Sequence, residues 1–282
     1  MAKPPETRTW HRVAVAHPGA AAGRAQLFAA SGVHMGEAIA AATKRVAGGW
    51  PVAVDSALDA DIPLGESVGK GSVVELGDTA VATHYRWPVG VLPKLGDDAG
   101  VAGARTGFHT IVRPELFVIE AMTDAEHTID LFMSLIERLP SADNLEVRLL
   151  DRFESAASTD VWLTSRVNAH KIINFLDDHD EELIGHGHVE LSVYVRASKA
   201  TLRLTEHKTV AWLTEGRALE TELAGWLTEL HVPRIEPFVS VRDVPHFHYQ
   251  PASSRSRDRL AIELYRQRLR KVATLQPATT PR

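Results

Sequence analysis

The chain has 282 residues, 44% of them hydrophobic and 24% charged, with a formal net charge of −5 from 31 basic and 36 acidic side chains. These are ordinary globular values, so wholesale disorder and collagen-like structure are excluded. No stretch approaches the length of a membrane-spanning apolar run, and the absence of cysteine removes disulfides, thiolate nucleophiles, iron–sulfur clusters and cysteine-based zinc sites.

The first residues, MAKPPETRTWHR, do not place a basic segment before an apolar one, so a secretory signal is not expected and a cytoplasmic location is. Composition and punctuation suggest three parts: 1–106, 107–235 and 236–282. In the first part Val13 and Val15 alternate as a short strand, and GAAAGRAQLFAA, residues 19–30, predicts a short helix. Met35, Ala38, Ile39, Ala42 and Val46 recur at helical spacing, and Gly48-Gly49 stop that helix. Gly65 to Ser72 has a phosphate-loop flavour, but three residues rather than four precede its Gly-Lys pair and a strand, not a helix, follows. Val73, Val74 and Leu76 run into Gly77-Asp78, with Ala80 and Ala82 beyond, which predicts a tight hairpin. Four glycines between Gly96 and Gly107 mark a loop or domain boundary.

The central part is the most patterned. Glu115 to Ala121 predicts a strand, and Thr123 and Glu126 have capping-box spacing. Ile129, Phe132, Met133, Ile136 and Leu139 then form one helix face. Leu145, Val147 and Leu149 alternate, as do Val161, Leu163 and Ser165. Asn168 caps a helix carrying Ile172, Phe175, Leu176 and Leu183, and Val189, Leu191, Val193 and Val195 alternate strictly. The resulting order, β-α-β-β-α-β, is that of a ferredoxin-like α+β domain. A hairpin strand over 201–213 and a helix with Leu219, Leu223, Trp226, Leu227 and Leu230 extend it. Helices on one face leave the other face of the sheet for solvent, ligand or partner. Alternation assigns Glu146, Arg148, Trp162, Thr164, Arg166, His188, Glu190, Ser192, Tyr194, Arg196, Arg203, Thr205, His207 and Thr209 to it. Arg148, Trp162, Arg166, Tyr194 and Arg203 are its candidate binding residues.

Fourteen histidines include two His-x-His pairs, His186-Gly-His188 and His246-Phe-His248. In a strand both rings of such a pair share a side and can meet one metal. His186 and His188, preceded by the acidic run Asp177 to Glu181, are the candidate metal ligands, and His188, Glu190, His207 and Thr209 the candidate catalytic groups. His207-Lys208-Thr209-Val210 resembles the His-x-Thr motif of a class of RNA-processing phosphoesterases, but that class needs two copies and the resemblance covers this tetrapeptide alone. Leu116 to Ile119 is similar to the first strand of RNA-recognition motifs, whereas Asp160 to Thr164 lacks the basic-Gly-aromatic run of their third. No Gly-x-Ser-x-Gly elbow and no Gly-x-Gly-x-x-Gly after a strand is present, and no cofactor is expected.

Prolines at 233, 237, 245 and 251 break the chain before a basic end. Residues 253–272 hold seven basic and two acidic side chains, a surplus of +5 against −10 for the remainder. Asp258 to Val272 predicts a helix docked by Leu260, Ala261, Leu264, Tyr265, Leu269 and Val272, with Arg259, Arg266 and Arg270 turned outward. The last ten residues predict disorder. That basic segment either clamps the acidic body or meets an anionic partner. The leading functional expectation is a non-catalytic interaction or ligand-binding protein, of which a regulatory protein is one form, with a protein partner or a second copy of the chain. The alternatives are a histidine-dependent, metal-assisted hydrolase and a nucleic-acid binder.

Overall fold

The computed structural model describes residues 8–56 and 72–276. It is a mixed α/β structure with antiparallel sheets, about 26% helix and 34% strand. The chain forms two compact units, one from residues up to Ala104 with Val239–Ala252, the other from Arg105–Phe238 with Ser253 onward. Among the described residues no helix is long and apolar enough to cross a membrane.

In the first unit β1 (Thr9–Ala16), β2 (Arg24–Gly32), β3 (Trp50–Ser56) and β4 (Val73–Ala80) form a sheet in the order β3-β1-β2-β4. The helix expected over 19–30 is therefore mostly strand β2. Alanine and leucine favour helix locally, but β2 pairs with β1 on one side and β4 on the other. Its Phe28, Ala29 and Ala30 are buried, and that tertiary gain overrides a weak propensity. Helix α1 (Met35–Thr43) stands where helical spacing placed it, although it ends before Val46. Gly48 adopts a φ of +63°. A Cβ on Gly49 would lie 2.9 Å from Val15 Cγ1, so the chain turns here only without side chains. The Gly77-Asp78 hairpin is not formed. Both residues lie within β4, and Gly77, with φ +100°, sits at a register shift against β2. A glycine inside a strand marked a bulge rather than a turn. A small antiparallel pair, β5 (Val91–Pro93) with β13 (His246–His248), completes this unit. The phosphate-loop-like segment lies outside the described residues, apart from Ser72.

The second unit contains β6 (Gly107–Val112), β7 (Phe117–Met122), α2 (Thr128–Arg138), β8 (Asn144–Leu149), β9 (Thr159–Leu163), α3 (Ala169–Asp177), α4 (Asp180–Leu183), β10 (Val189–Val195), β11 (Ala200–Leu204), β12 (Val210–Thr214), α5 (Glu220–Glu229), α6 (Arg257–Arg266) and β14 (Arg270–Leu275). The eight strands lie in the order β14-β9-β8-β10-β11-β12-β7-β6. Strands and helices follow one another along the chain as expected, but the ferredoxin-like arrangement is not what forms. The β11–β12 hairpin stands between β10 and β7, so β7 to β10 are not one contiguous four-stranded sheet. Phe117, Ile119, Phe132, Leu135, Ile136, Val147, Leu191, Leu202 and Trp212 are buried together as the core. Asn168 caps α3 by accepting from Lys171 N at 3.0 Å. The capping box at Thr123 is replaced by Asp124, whose Oδ1 accepts from the backbone of Glu126 and His127.

Two further expectations fail for physical reasons. Trp162 pairs opposite Val147 and packs in the main core cluster, while Val161, opposite Arg148, lies on the other side of the strand, although it too is buried. A slip of one residue exchanges the two faces of a strand, and burying an indole decides which register wins. The C-terminal helix ends at Arg266, Arg268 turns with φ +66°, and residues 270–275 add an edge strand to β9. The tail expected to be disordered thus begins as strand, and 277–282 lie outside the described residues.

Candidate functional site

The polar face of the second unit follows from its register. Glu190 lies opposite Arg148, Ser192 opposite Glu146, and Arg203 opposite Ser192. Ala211 continues this row opposite Arg203, then Glu120 opposite Ala211 and His109 opposite Glu120. The groups satisfy one another. Arg148 Nε donates to Glu146 Oε1 at 2.6 Å, Tyr194 Oη donates to Glu146 Oε2 at 2.8 Å, and Arg203 Nε donates to Ser192 Oγ at 3.3 Å. His109 Nε2 lies 3.0 Å from Glu120 Oε2, and its ring stacks on Phe238 at 4.2 Å. The sequence-derived binding residues Arg148, Tyr194 and Arg203 therefore share one face, as a bonded network.

At one end of this face the β11–β12 connection forms a short loop. Thr205 N donates to Thr209 O at 3.0 Å and Lys208 N to Thr205 O at 2.9 Å, with Lys208 at φ +60°. That is a three-residue hairpin loop whose last residue takes the left-handed conformation. The loop sends the Lys208 side chain fully inside, where Nζ donates to His186 O at 2.7 Å and Val189 O at 3.3 Å. Burial pulls the Lys208 ammonium down to about 7, against the opposing pull of Glu206 and Glu190. Burial, then the hydrogen bond and charge of Glu206, push Glu190 up to about 8. Burial, then the charges of Lys208 and Arg152, take His188 down to about 4. His207 Nδ1 lies 3.5 Å from Glu206 Oε1. Of the candidate catalytic groups, Glu190 and His207 are thus linked through Glu206, which sequence reasoning passed over. Thr209 is buried at the loop's end. A carboxyl pair with one raised pKa can hold and release a proton near neutral pH. Lys208 was equally illegible, since a lysine in a turn reads as solvent-exposed.

The two His-x-His pairs differ. His186 is wholly buried, stacked on Phe153 at 4.1 Å, and its Nδ1 accepts the His188 backbone N–H at 3.1 Å. The His186 and His188 rings lie 5.7 Å apart. His246 Nε2 and His248 Nε2 lie 3.1 Å apart. Of the acidic run that sequence set beside the first pair, Glu181 accepts from Ser253 Oγ at 2.5 Å, and the following Glu182 pairs with Arg255 at 3.2 Å.

The basic segment is largely bound to its own unit. Arg257 donates to Leu150 O at 2.6 Å and Ser158 O at 2.8 Å and pairs with Asp160 at 3.2 Å. Lys271 reaches Asp160 at 2.6 Å. Burial alone would raise the Asp160 carboxyl, but hydrogen bonds from Lys271 and Arg257 outweigh it and hold the pKa low. Arg259 and Arg266 line a shallow basic groove on α6 with Arg255 and Glu263, and Arg270 starts β14.

Arg166, the remaining binding candidate, lines a cavity of about 370 Å³ in the second unit. Its walls are the β9–α3 connection, one side of α3 and the α6–β14 turn. Arg166, Lys171 and Arg268 bring three cations to it, with Asp178 as its one carboxylate. Leu145, Val167, Ile172, Phe175 and Leu269 give it apolar lining, and Thr164, Ser165, Asn174 and Gln267 add hydrogen-bonding groups. Arg166 Nε stands 3.5 Å from Asp143 Oδ1 with its side chain mostly exposed. Lys171 and Arg268 carry no sequence signal of their own, because only the fold brings residues 166, 171 and 268 together. No family model matches this chain, and no curated protein and no solved structure shows significant similarity to it.

Proposed function

We propose that this is a ligand-binding protein whose second unit holds a small anionic molecule with an apolar part, in the cavity between α3 and the α6–β14 turn. The observation that carries this reading is that Arg166, Lys171 and Arg268 line one cavity together with Leu145, Val167, Ile172, Phe175 and Leu269. A volume of about 370 Å³ falls within the range of small-molecule sites, which combine apolar walls with a few placed polar groups. Guanidinium forks suit phosphate, sulfonate or carboxylate because they donate two parallel hydrogen bonds.

The test is an equilibrium titration with 8-anilinonaphthalene-1-sulfonate, whose sulfonate and rings match the two halves of the cavity. Saturable binding at one site per chain, weakened by salt and by Arg268→Glu and Lys171→Glu, supports the proposal. Binding that is absent, or indifferent to both substitutions, contradicts it.

A second reading, histidine-dependent hydrolysis, draws on the chain from Glu190 through Glu206 to His207. Its test is an esterase and phosphoesterase screen in which Glu190→Gln abolishes any activity found. The nucleic-acid reading rested on the free sheet face together with the basic C-terminus, taken as one continuous helix. With that segment split between α6 and β14 and much of it paired inside its unit, we do not propose it.

A further inference from the structure

We propose that His246 and His248 of β13 form a binding site for a divalent transition metal of the zinc class, in the first unit and independent of the anion cavity. The pair lies on a strand, so both side chains emerge on one side while Phe247 points to the other. Pairing of His246 with Pro93 and His248 with Val91 fixes the backbone beneath them. The two Nε2 atoms stand 3.1 Å apart, with the rings at 73° and their centroids 5.0 Å apart. Two imidazoles on one tetrahedral ion, each at about 2.0–2.1 Å, place their nitrogens roughly 3.3 Å apart.

The second nitrogen of His246 supports the same assignment. Its Nδ1 lies 2.7 Å from the Val244 carbonyl, so it carries the hydrogen and donates. With the hydrogen on Nδ1, Nε2 is the nitrogen left to face His248 and to serve as the ligand atom. A histidine ligand held through its other ring nitrogen by a backbone carbonyl is the usual way a protein fixes tautomer and ring angle at a metal. Imidazole ligands favour zinc, copper, nickel or cobalt over magnesium and calcium, which take oxygen. Two histidines are one fewer than the three protein ligands of a catalytic zinc site, so the remaining positions on the ion go to water or another donor. The competing explanation of the short distance is an Nε2–H···Nε2 hydrogen bond between two neutral rings, which predicts no affinity for metal.

The experiment is calorimetric titration of the full chain, stripped with EDTA, with Zn2+, and separately with Co2+ read by its visible absorption. One ion per chain is expected, at micromolar affinity or better and without competition from Mg2+ or Ca2+. His246→Ala and His248→Ala should each weaken binding at least about tenfold, whereas His127→Ala leaves it unchanged. Zn2+ should also raise the melting temperature of the wild type and not of the two variants. If either alanine variant fails to fold, judged by circular dichroism, the asparagine variant replaces it. No stoichiometric uptake by the wild type, or equal affinity in the variants, overturns the proposal.

Discussion

His186-Gly-His188 and His246-Phe-His248 have the same spacing and opposite surroundings. The first pair precedes β10, where the chain is not yet extended. There His186 becomes a core ring on Phe153 and an acceptor for its own backbone. The second pair is itself strand β13, so its rings meet nitrogen to nitrogen. Spacing is a geometric statement only inside a regular element. The same two-residue interval that brings imidazoles together on a strand hands one of them to the interior when it falls on a loop.

That contrast can be broken at its base. Phe153→Ala removes the platform under His186, and the variant should lose about 3–5 kcal/mol in denaturant melts, as buried phenylalanine truncations do. A loss below about 1 kcal/mol would show that the first pair is not core. The next effect is in pH. His188 has a folded-state pKa near 4, below its unfolded value, so it contributes stability that is present above about pH 6.5 and is lost as pH falls toward 4. The raised pKa of Glu190 acts in the opposite direction over its own range, so the informative quantity is the difference between wild type and His188→Gln. Over that window the wild type should lose about 2–3 kcal/mol more than the variant; parallel profiles would place His188 in solvent. His246→Ala, by contrast, should change the stability of metal-free protein by no more than about 0.5 kcal/mol, because a half-buried surface pair carries little of the fold. Chemical denaturation with and without Zn2+ measures both states.

Legibility followed burial. The alternation in β8 and β10 was readable because one face of each is sealed: Leu145, Val147, Leu149, Leu191 and Val193 are all fully buried. Strand β2 was not, since its alanines favour helix until β1 and β4 flank them. The basic end misled for a similar reason, as arginine and leucine suit a helix and nothing local announces that 270–275 will complete a sheet edge. Strand order was out of reach, because the hairpin between β10 and β7 is a choice among long-range pairings. The site divides in the same way. Arg166 could be named from an alternation read past the end of β9, although it lies in the β9–α3 connection, but Lys171 and Arg268 join it only once β14 folds back along β9. Lys208 was hidden because only the turn geometry drives an ammonium inward.

The anion cavity is the claim on which the functional account stands, and amide chemical-shift mapping of isotope-labelled protein with 8-anilinonaphthalene-1-sulfonate tests it most directly. Perturbations are expected to concentrate at residues 164–178 and 267–269 and to be reduced in Arg268→Glu. Shifts scattered over the polar sheet face, or centred on β5 and β13, would contradict it.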